Sequence, residues 1–343
     1  MNSKLMNILI VGYGSIGTRY SKIIRAIYPE SKIILLRHDK CEESNSDLVD
    51  YCFNDLEKVL ELSPKIAIIS NPASYHIQIA EKLAKEGIHL LIEKPISNSQ
   101  SGVSELIKYC HENKIVLMTA YNLRFLPSLV FFKEQIELKN LGKILSIRAE
   151  VGQYLPTWRP NTDYRKSVSS NQRLGGGALL ELSHEIDYLQ WIFGSFLWVQ
   201  AYVTKVSKLE IDVEDTALLL AGLKCNENDE EVGVSLNIDF IRQDTTRKCT
   251  VISENGTLCW DGIKGTVEVY TLKSSEWKVL FSDSIDRDFT YREELRHFVT
   301  SVDEKRYSSI SGEDGLSVLK VVEATKLSSL EKRKVELKEL NLK

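Results

Sequence analysis

The chain has 343 residues, of which 43% are hydrophobic and 27% are charged, and its net charge at pH 7 is −4. This length favours about two domains of roughly 150 residues, each with a core of its own. The composition excludes disordered, fibrous and disulfide-dependent small proteins, and the charge predicts neither a nucleic-acid-binding nor a membrane-binding surface.

The six cysteines lie apart, with no CxxC pair and no His/Cys cluster at zinc spacing. We therefore expect reduced thiols and no metal site. The apolar run from Ile8 to Val11 is too short for the core of a signal peptide, and no apolar stretch approaches the ~20 residues of a membrane span. These features predict a cytoplasmic protein.

Between Met6 and about Tyr121, apolar runs alternate with helical patterns, which is typical of βαβ units on a parallel sheet. The predicted strands are 7–11, 32–36, 66–70, 89–92 and 115–119. The predicted helices are 16–28, 56–62, 75–86 and 101–113. Residues 1–121 are therefore predicted to form a doubly wound, dinucleotide-binding Rossmann domain.

After Tyr121 the pattern changes to strand-like runs without helices between them. Strands are predicted near 143–151, 197–206, 213–223, 232–241, 247–253, 256–261, 265–272 and 277–283. Helices are predicted over 127–138, 177–193, 287–302 and 313–330. Runs of strands without helical crossovers indicate a mostly antiparallel sheet, so residues 122–343 are predicted to form an α+β domain with a large open sheet.

The sequence Gly12-Tyr-Gly14-Ser15-Ile16-Gly17 directly follows the first strand and opens a helix, the context that a dinucleotide-binding motif requires. The first glycine permits the turn, the second admits a pyrophosphate and the third allows close helix packing. We expect all six residues except the tyrosine to contact a nicotinamide cofactor.

The end of the second strand indicates which cofactor is preferred. Arg37 and His38 stand where an NAD-selective domain places an acid for the ribose 2′-hydroxyl, and Lys40 adds charge. A cationic cluster suits a 2′-phosphate, which favours NADP over NAD. The alternative is that Asp39 binds the ribose, or that Arg37 only stacks on the adenine.

Two further segments carry chemistry. Lys94, in Glu93-Lys94-Pro95, follows a parallel strand at the edge where such sheets bind ligands, although a surface lysine before a turn would look the same. On a continuous helix over 177–193, a leucine-rich stripe would lie opposite a face carrying His184, Asp187, Tyr188 and Trp191. Aromatic residues beside a histidine suggest a cavity wall in which His184 exchanges protons, whereas a solvated polar face is the simpler explanation.

Together these motifs resemble the Gfo/Idh/MocA oxidoreductases. The resemblance rests on the glycine motif, Glu93-Lys94-Pro95, Tyr121-Asn122-Leu-Arg124-Phe125, Gly175-Gly176-Gly177 and His184-Glu-Ile-Asp187, in the family's order and spacing over nearly the whole chain. It implies NAD(P)-dependent oxidation or reduction of a sugar or cyclitol at one carbon, and a C-terminal sheet that forms a homo-oligomer, a dimer or tetramer.

The resemblance also implies roles for individual residues. Lys94 and His184 would contact the reacting hydroxyl or carbonyl, and Asn71, Pro72, His76 and Glu93 would lie at the cofactor. Asn122, Arg124 and Tyr188 would bind substrate. Many members carry an acid four residues before the histidine, where this chain has Leu180. Glu181 and Asp187 therefore rank below Lys94 and His184 as catalytic candidates.

The loop over 152–173 predicts the substrate class. It carries four cations (Arg159, Arg165, Lys166 and Arg173) against one acid, Asp163. Arginine forks bind carboxylates and phosphates, while Tyr154, Trp158 and Tyr164 can stack on a sugar ring. The alternative is a lid that packs its aromatic residues beneath itself, with its arginines in water.

The LPxWRPxxDYR pattern of this loop resembles members from bacterial surface-polysaccharide and nonulosonic-acid biosynthesis, which implies an anionic or nucleotide-activated sugar. The leading hypothesis is an NADP-preferring sugar dehydrogenase or reductase. The alternatives are a non-redox epimerase or glycosidase that uses bound NAD transiently, and a binding protein that senses the cofactor without catalysis.

Overall fold

A computed structural model describes residues 6–38, 47–159, 162–225 and 230–342. Asp39 and Lys40, which bear on the choice between NAD and NADP, lie outside these residues. Contacts divide the chain into two units: Met1–Tyr121 with Asp288–Leu316, and Asn122–Arg287 with Ser317–Lys343.

The first unit is built on a six-stranded parallel sheet. Its strands are β1 (Asn7–Val11), β2 (Lys32–Leu36), β3 (Tyr51–Phe53), β4 (Ile66–Ile69), β5 (His89–Glu93) and β6 (Leu117–Ala120). The spatial order is β3-β2-β1-β4-β5-β6, and every neighbouring pair is parallel. This order confirms the predicted doubly wound Rossmann sheet, whose direction of winding reverses between β1 and β4.

Within the described residues, four helices connect these strands: α1 (Ser15–Ile27), α2 (Leu56–Leu60), α3 (His76–Lys85) and α4 (Val103–Glu112). The strands are apolar runs buried on both faces, as Ile8 to Ile10 and Ile66 to Ile69 show. In α1 the residues facing the core recur at helical spacing, beginning with Gly17, Tyr20 and Ile24. β3 was not predicted from the sequence because it has only three residues, none of them fully buried.

The second unit contains a nine-stranded mixed sheet. Its strands are β7 (Ile144–Gly152), β8 (Phe196–Thr204), β9 (Thr216–Lys224), β10 (Glu231–Asp239), β11 (Thr246–Ser253), β12 (Gly256–Asp261), β13 (Thr266–Tyr270), β14 (Trp277–Ser282) and β15 (Val335–Glu336). They lie in the order β14-β13-β12-β11-β7-β10-β9-β8-β15. Among the described strand pairs of this second sheet only β7–β10 is parallel, which confirms a mostly antiparallel sheet.

The remaining helices are α5 (Pro127–Glu137), α6 (Ala178–Glu181), α7 (His184–Phe193), α8 (Phe289–Asp303) and α9 (Gly312–Glu331). By its contacts α8 belongs to the first unit, although the sequence assigned everything after Tyr121 to the second domain. Among the described residues, no helix combines the length and apolarity needed to span a bilayer.

The predicted continuous helix over 177–193 is wrong, because the chain breaks between α6 and α7. Leu182 leaves the helical conformation at φ −105° and ψ 27°, and Ser183 leads into α7. The leucine-rich stripe is buried as expected, but Asp187 and Tyr188 are also fully buried, since α7 is covered on more than one side. Only His184 and Trp191 of the expected polar face stay half-exposed.

The cysteines partly differ from expectation. Cys110, Cys225, Cys249 and Cys259 are free thiols, as predicted. Cys52 in β3, however, is disulfide-bonded. The sequence offered no sign of this bond, because no second cysteine lies near Cys52 at a diagnostic spacing.

Candidate functional site

The glycine motif forms a tight turn between β1 and α1. Gly12 has φ +88°, and a Cβ there would lie 2.8 Å from the backbone nitrogen of Asn71, so the β1 and β4 loops touch. A Cβ on Gly17 would lie 2.2 Å from the carbonyl oxygen of Gly12. These two positions require glycine for packing within the protein itself.

Gly14 differs, because a Cβ built there meets nothing within 4 Å. Its φ of −74° suits any residue, and no side chain caps the helix that it begins. Gly14 and Ser15 are exposed, with Ile16 half-buried behind them. A glycine that neither the backbone conformation nor protein packing demands is explained by the close approach of a ligand to its backbone.

Orphan polar atoms lie beside this turn. The side-chain oxygen of Asn71 and the hydroxyl of Ser74 are both buried with no hydrogen-bond partner. Pro72, between them, starts a short turn over Ala73–Tyr75 that leads into α3. Open space at Gly14, an uncapped helix N-terminus and unsatisfied polar atoms together fit a dinucleotide.

Arg37 and His38 directly follow β2, as predicted. The Arg37 N–H donates to the Phe53 carbonyl oxygen at 3.0 Å, which extends the β2–β3 pairing by one residue. Arg37 is half-buried and His38 is exposed. The described part of this segment therefore places an arginine and a histidine, and no acid, after β2.

His76 connects the Asn71 loop with the Pro95 turn. Its Nε2 lies 2.7 Å from the Asn71 carbonyl oxygen and its Nδ1 lies 3.1 Å from that of Pro95. The ring is 1% exposed, and burial lowers the pKa of His76 below its ordinary value of 6.5. Since both ring nitrogens face the backbone, His76 positions the two loops and has no nitrogen left for a ligand.

Glu93, Lys94 and Pro95 end β5. Glu93 is buried, and its Oε2 accepts the Lys94 N–H at 3.3 Å. Burial raises the pKa of Glu93 to about 7, against the opposing charge of Lys94. Lys94 is half-buried and precedes a cis peptide bond to Pro95. The carboxyl end of β5 thus carries a half-buried lysine that directly follows a buried glutamate.

In the second unit, Arg124 and Asp187 form a buried ion pair. Arg124 Nε donates to Asp187 Oδ2 at 3.0 Å and Nη2 donates to Oδ1 at 2.6 Å. The guanidinium carbon lies 5.7 Å from the centre of the Trp191 ring. Asn122, in the same short helical turn as Arg124, is also buried.

His184 is the first residue of α7, and two arginines hold the carboxylates beside it. Arg124 holds Asp187, while Arg247 of β11 donates to the fully buried Glu185 from Nε at 2.7 Å and from Nη2 at 3.4 Å. Arg247 is not predictable from the sequence, because 62 residues separate it from Glu185 and no local pattern links them. Glu181 ends α6, across the helix break from His184.

The loop over 152–173 brings some of its predicted residues together. Trp158, Arg159 and Tyr164 line one hollow, with Leu155, Thr162, Ser167 and Ser169. Trp158 packs edge-on against Phe240 at 5.1 Å and donates to the Gln153 carbonyl oxygen, so part of the loop packs beneath itself. Tyr154 is half-buried, and its carbonyl oxygen accepts the Thr157 hydroxyl.

Arg165 and Tyr188 lie away from that hollow. Arg165 forms hydrogen bonds with both carboxylate oxygens of Asp163, at 2.8 and 3.0 Å, and with Glu210 at 3.0 Å. Tyr188 is fully buried and packs edge-on against Trp260, 5.3 Å away. Arg159 is therefore the loop cation best placed to meet a ligand, because it is exposed at the hollow.

Comparison with known proteins matches both units. A profile described as "Oxidoreductase family, NAD-binding Rossmann fold" matches residues 6–121, and one described as "Oxidoreductase family, C-terminal alpha/beta domain" matches residues 133–337. The myo-inositol 2-dehydrogenase of Thermotoga maritima is 26% identical over 355 residues, covering 98% of this chain and 99% of that relative.

Two further similarities bear on fold and chemistry. A 2,7-anhydro-N-acetylneuraminate hydratase of Mediterraneibacter gnavus is 24% identical over 199 residues, covering 54% of this chain and 50% of the relative. A structure of levoglucosan dehydrogenase in complex with NADH superposes with a TM-score of 0.84 at 18% identity, covering 97% of this chain and 99% of that one. The latter similarity shows the fold.

Proposed function

The chain belongs to the Gfo/Idh/MocA family of oxidoreductases, with an N-terminal NAD-binding Rossmann domain, and we propose that it transfers a hydride between a nicotinamide cofactor and a CH–OH carbon of a sugar or cyclitol. The observation that carries this proposal is the similarity to a myo-inositol dehydrogenase over 98% of the chain.

The residues of the glycine turn would bind the dinucleotide. The backbone N–H groups of Gly14, Ser15 and Ile16 lie at the N-terminus of α1, where they suit a pyrophosphate. Asn71 and Ser74, in the loop after β4, each carry a buried polar atom without a hydrogen-bond partner. The cofactor, when bound, accepts or supplies the hydride. His76 keeps the Asn71 and Pro95 segments in place.

Lys94 and His184 are the proposed proton carriers for the reacting hydroxyl. Lys94 ends a parallel strand at the edge where such sheets bind ligands, and His184 is the most accessible titratable residue of α7. Asp187 is engaged by two hydrogen bonds from Arg124, which suits it to orienting α7 rather than to exchanging protons. Glu181 ranks below Lys94 and His184 as a candidate proton carrier.

We also propose that NADP is preferred over NAD. The half-buried Arg37 and the exposed His38 follow β2 directly, where a 2′-phosphate would gain from cations and a 2′-hydroxyl from an acid. The alternative is NAD, since the family profile that matches residues 6–121 describes an NAD-binding Rossmann fold.

The proposed substrate is an anionic or nucleotide-activated sugar. Exposed Arg159 at a hollow walled by Trp158 and Tyr164 combines a guanidinium fork with aromatic surfaces suited to a sugar ring. The surface-polysaccharide setting and the cytoplasmic location stay predictions from the sequence.

We propose that the sheet of the second unit forms the interface of a homo-oligomer, because large apolar side chains are exposed on one of its faces. Tyr202, Leu218 and Leu220 are 57%, 45% and 59% exposed on strands β8 and β9, and Tyr202 lies opposite Leu218 in register. Leu219, between the two leucines, is 3% exposed on the inner face. A dimer or tetramer would cover the outer face. A monomer by light scattering would contradict this proposal.

Assay of the purified chain with NADP or NAD tests the main proposal, using neutral cyclitols, sugar acids and nucleotide sugars. We expect absorbance change at 340 nm that Lys94→Ala reduces by about 10²-fold or more while cofactor binding persists. The exposed Lys108→Ala is the control. Activity that Lys94→Ala leaves unchanged would contradict the role of Lys94. Turnover of neutral sugars alone, at a rate that Arg159→Ala leaves unchanged, would contradict the role of Arg159.

A second candidate is a reaction without net oxidation, in which bound cofactor is reduced and reoxidised within one turnover. The similarity to a hydratase favours it. Product formation at constant absorbance at 340 nm, by protein that holds its cofactor through purification, would establish this alternative.

A further inference from the structure

Two carboxyl groups are buried at the Tyr20 hydroxyl in the first unit, and one of them belongs to the residue before Lys94. Glu93 ends β5 and is 9% exposed, and Glu294 of α8 is completely buried. Burial and the negative charge of Glu93 raise the pKa of Glu294, and burial raises the pKa of Glu93. A pair of buried negative charges is costly unless hydrogen bonds or cations compensate it fully.

The hydrogen bonds around the pair are incomplete. Tyr20 of α1 donates its hydroxyl to Glu294 Oε2 at 2.7 Å, and Glu93 Oε2 accepts the Lys94 N–H. The other oxygen of each carboxyl group, Oε1, is buried without a hydrogen-bond partner. Two fully ionised carboxylates would therefore leave two charged oxygens unsatisfied.

Nearby cations compensate only part of this charge. Arg19 forms an ion pair with Asp288 at 3.1 Å, and its guanidinium lies over the Tyr291 ring at 4.7 Å. Lys94 contributes one charge from the end of β5, while Tyr20 and Tyr291 are neutral phenols whose pKa values are raised by burial. The charges of Lys94 and Arg19 lower the pKa of Glu93, whereas the pKa of Glu294 is lowered by its hydrogen bond from Tyr20.

We propose that Glu93 and Glu294 hold one proton between them at neutral pH, so that Glu294 is a neutral acid and the buried pair carries a single negative charge. Tyr20 and the orphan oxygens fit this state, because a protonated carboxyl group both donates and accepts a hydrogen bond. The raised pKa of Glu294, due to its burial and to Glu93, agrees with it.

This pair makes Glu294 a positioning residue for Lys94, a consequence that rests on the proposed function. A second ionisation would place another negative charge behind the ammonium and hold its proton more firmly. While the pair keeps this proton, the negative charge behind the Lys94 ammonium stays at one. It rises to two when Glu294 ionises.

Carboxyl titration of the apo protein tests the shared proton without reference to activity. Glutamate is labelled with ¹³C at the side-chain carboxyl, and the signals are assigned with Glu93→Gln and Glu294→Gln. We expect one buried carboxyl group of wild type to stay protonated near pH 7. Glu93→Gln removes the charge beside Glu294 and should lower the midpoint of Glu294 by about one pH unit or more. Both groups ionised below about pH 5 would overturn the proposal.

Matched variants separate this effect from structural damage. Glu294→Gln keeps an oxygen that accepts the Tyr20 hydroxyl, and Glu293→Gln alters the neighbouring residue, which binds Arg296 in solvent. The Glu293→Gln control should leave both midpoints unchanged. An equal shift of the Glu294 midpoint in Glu93→Gln and Glu293→Gln would overturn the proposal. Tyr20→Phe should raise the midpoint of Glu294, and the wild-type titration decides the matter if a variant does not fold.

The pH profile of kcat tests the consequence for Lys94. Glu294→Gln should move the limb governed by Lys94 to lower pH, with KM little changed and with Glu293→Gln superposing on wild type. An unmoved limb would refute the positioning role. A protein with a shared proton but without sugar turnover would contradict the proposed function alone.

Discussion

Arg124 binds Asp187 through two parallel hydrogen bonds inside the second unit, and both residues are more than nine-tenths buried. This ion pair joins the segment after the Rossmann domain to the first turn of α7, three residues from His184. Removing one member would deprive the other, a buried charge, of both of these hydrogen bonds.

Asp187→Asn should therefore destabilise the protein by roughly 3 kcal/mol, because breaking a buried pair costs more than the pair itself contributes. Urea denaturation of the second unit measures this loss. Asp163→Asn, which breaks the exposed pair with Arg165, is the matched control and should leave the midpoint unchanged. Equal effects of the two substitutions would show that Asp187 is not charged or not paired in solution.

The glycine turn gives a second prediction, since its glycines differ in what surrounds them. Gly14→Ala should fold with unchanged stability, because an added methyl group meets no protein atom, yet it should weaken cofactor binding about tenfold or more by blocking the pyrophosphate. Gly17→Ala should destabilise the turn, because the same methyl group would meet the Gly12 carbonyl oxygen.

Thermal melts and fluorescence titration with NADP and NAD distinguish these two glycines. If Gly14→Ala bound both cofactors as wild type does, the dinucleotide would have to approach the turn from elsewhere.

Arg37 gives a third prediction about cofactor choice. Arg37→Asp should lower kcat/KM with NADP and raise it with NAD, reversing the preference, because an acid binds the ribose 2′-hydroxyl and repels the 2′-phosphate. Initial rates with each cofactor at fixed ionic strength measure the ratio. His38→Gln, next along the chain and exposed, should change the ratio less. Wild type with no preference for NADP would contradict the proposal.

The stability of the first unit should also depend on His76. Burial holds the pKa of folded His76 below that of the unfolded state, about 6.5, so the unfolded state binds more protons below that pH. The contribution is fully present above about pH 6.5 and is lost as the pH falls through the folded pKa. Chemical denaturation at several pH values should show this loss in wild type and a flatter dependence in His76→Gln.

The exposed His38→Gln serves as the control for that experiment and should keep the wild-type dependence. Identical pH dependence in wild type and His76→Gln would mean that His76 titrates as freely as in the unfolded chain.

The Rossmann sheet was predictable because its strands are buried on both faces and leave continuous apolar runs, as in Ile66–Ile69. The strands of the second sheet were predictable from alternation, as in β10, where buried and exposed residues alternate. The break between α6 and α7 was not, because Leu182 and Ser183 carry no breaker signal and the helical pattern continues through them.

Long-range pairs were equally hidden from local reasoning. The glycine motif and Lys94 can be recognised from their neighbours in sequence. Arg247 of β11, in contrast, binds Glu185 of α7 across 62 residues of sequence. Tyr20 meets Glu294 across 274 residues of sequence. Periodicity predicts which face of an element is buried, but it does not identify the side chain that covers that face.

The return of Asp288–Leu316 to the first unit affects how the protein can be divided. A fragment that ends at Tyr121 would contain all six strands of the parallel sheet, yet it would lack α8, and the Tyr20 hydroxyl would lose its acceptor. Thr119 would likewise lose the Ser311 carbonyl oxygen to which it donates. A working cofactor-binding fragment would therefore need two separate stretches of the gene, joined by a linker in place of the second sheet.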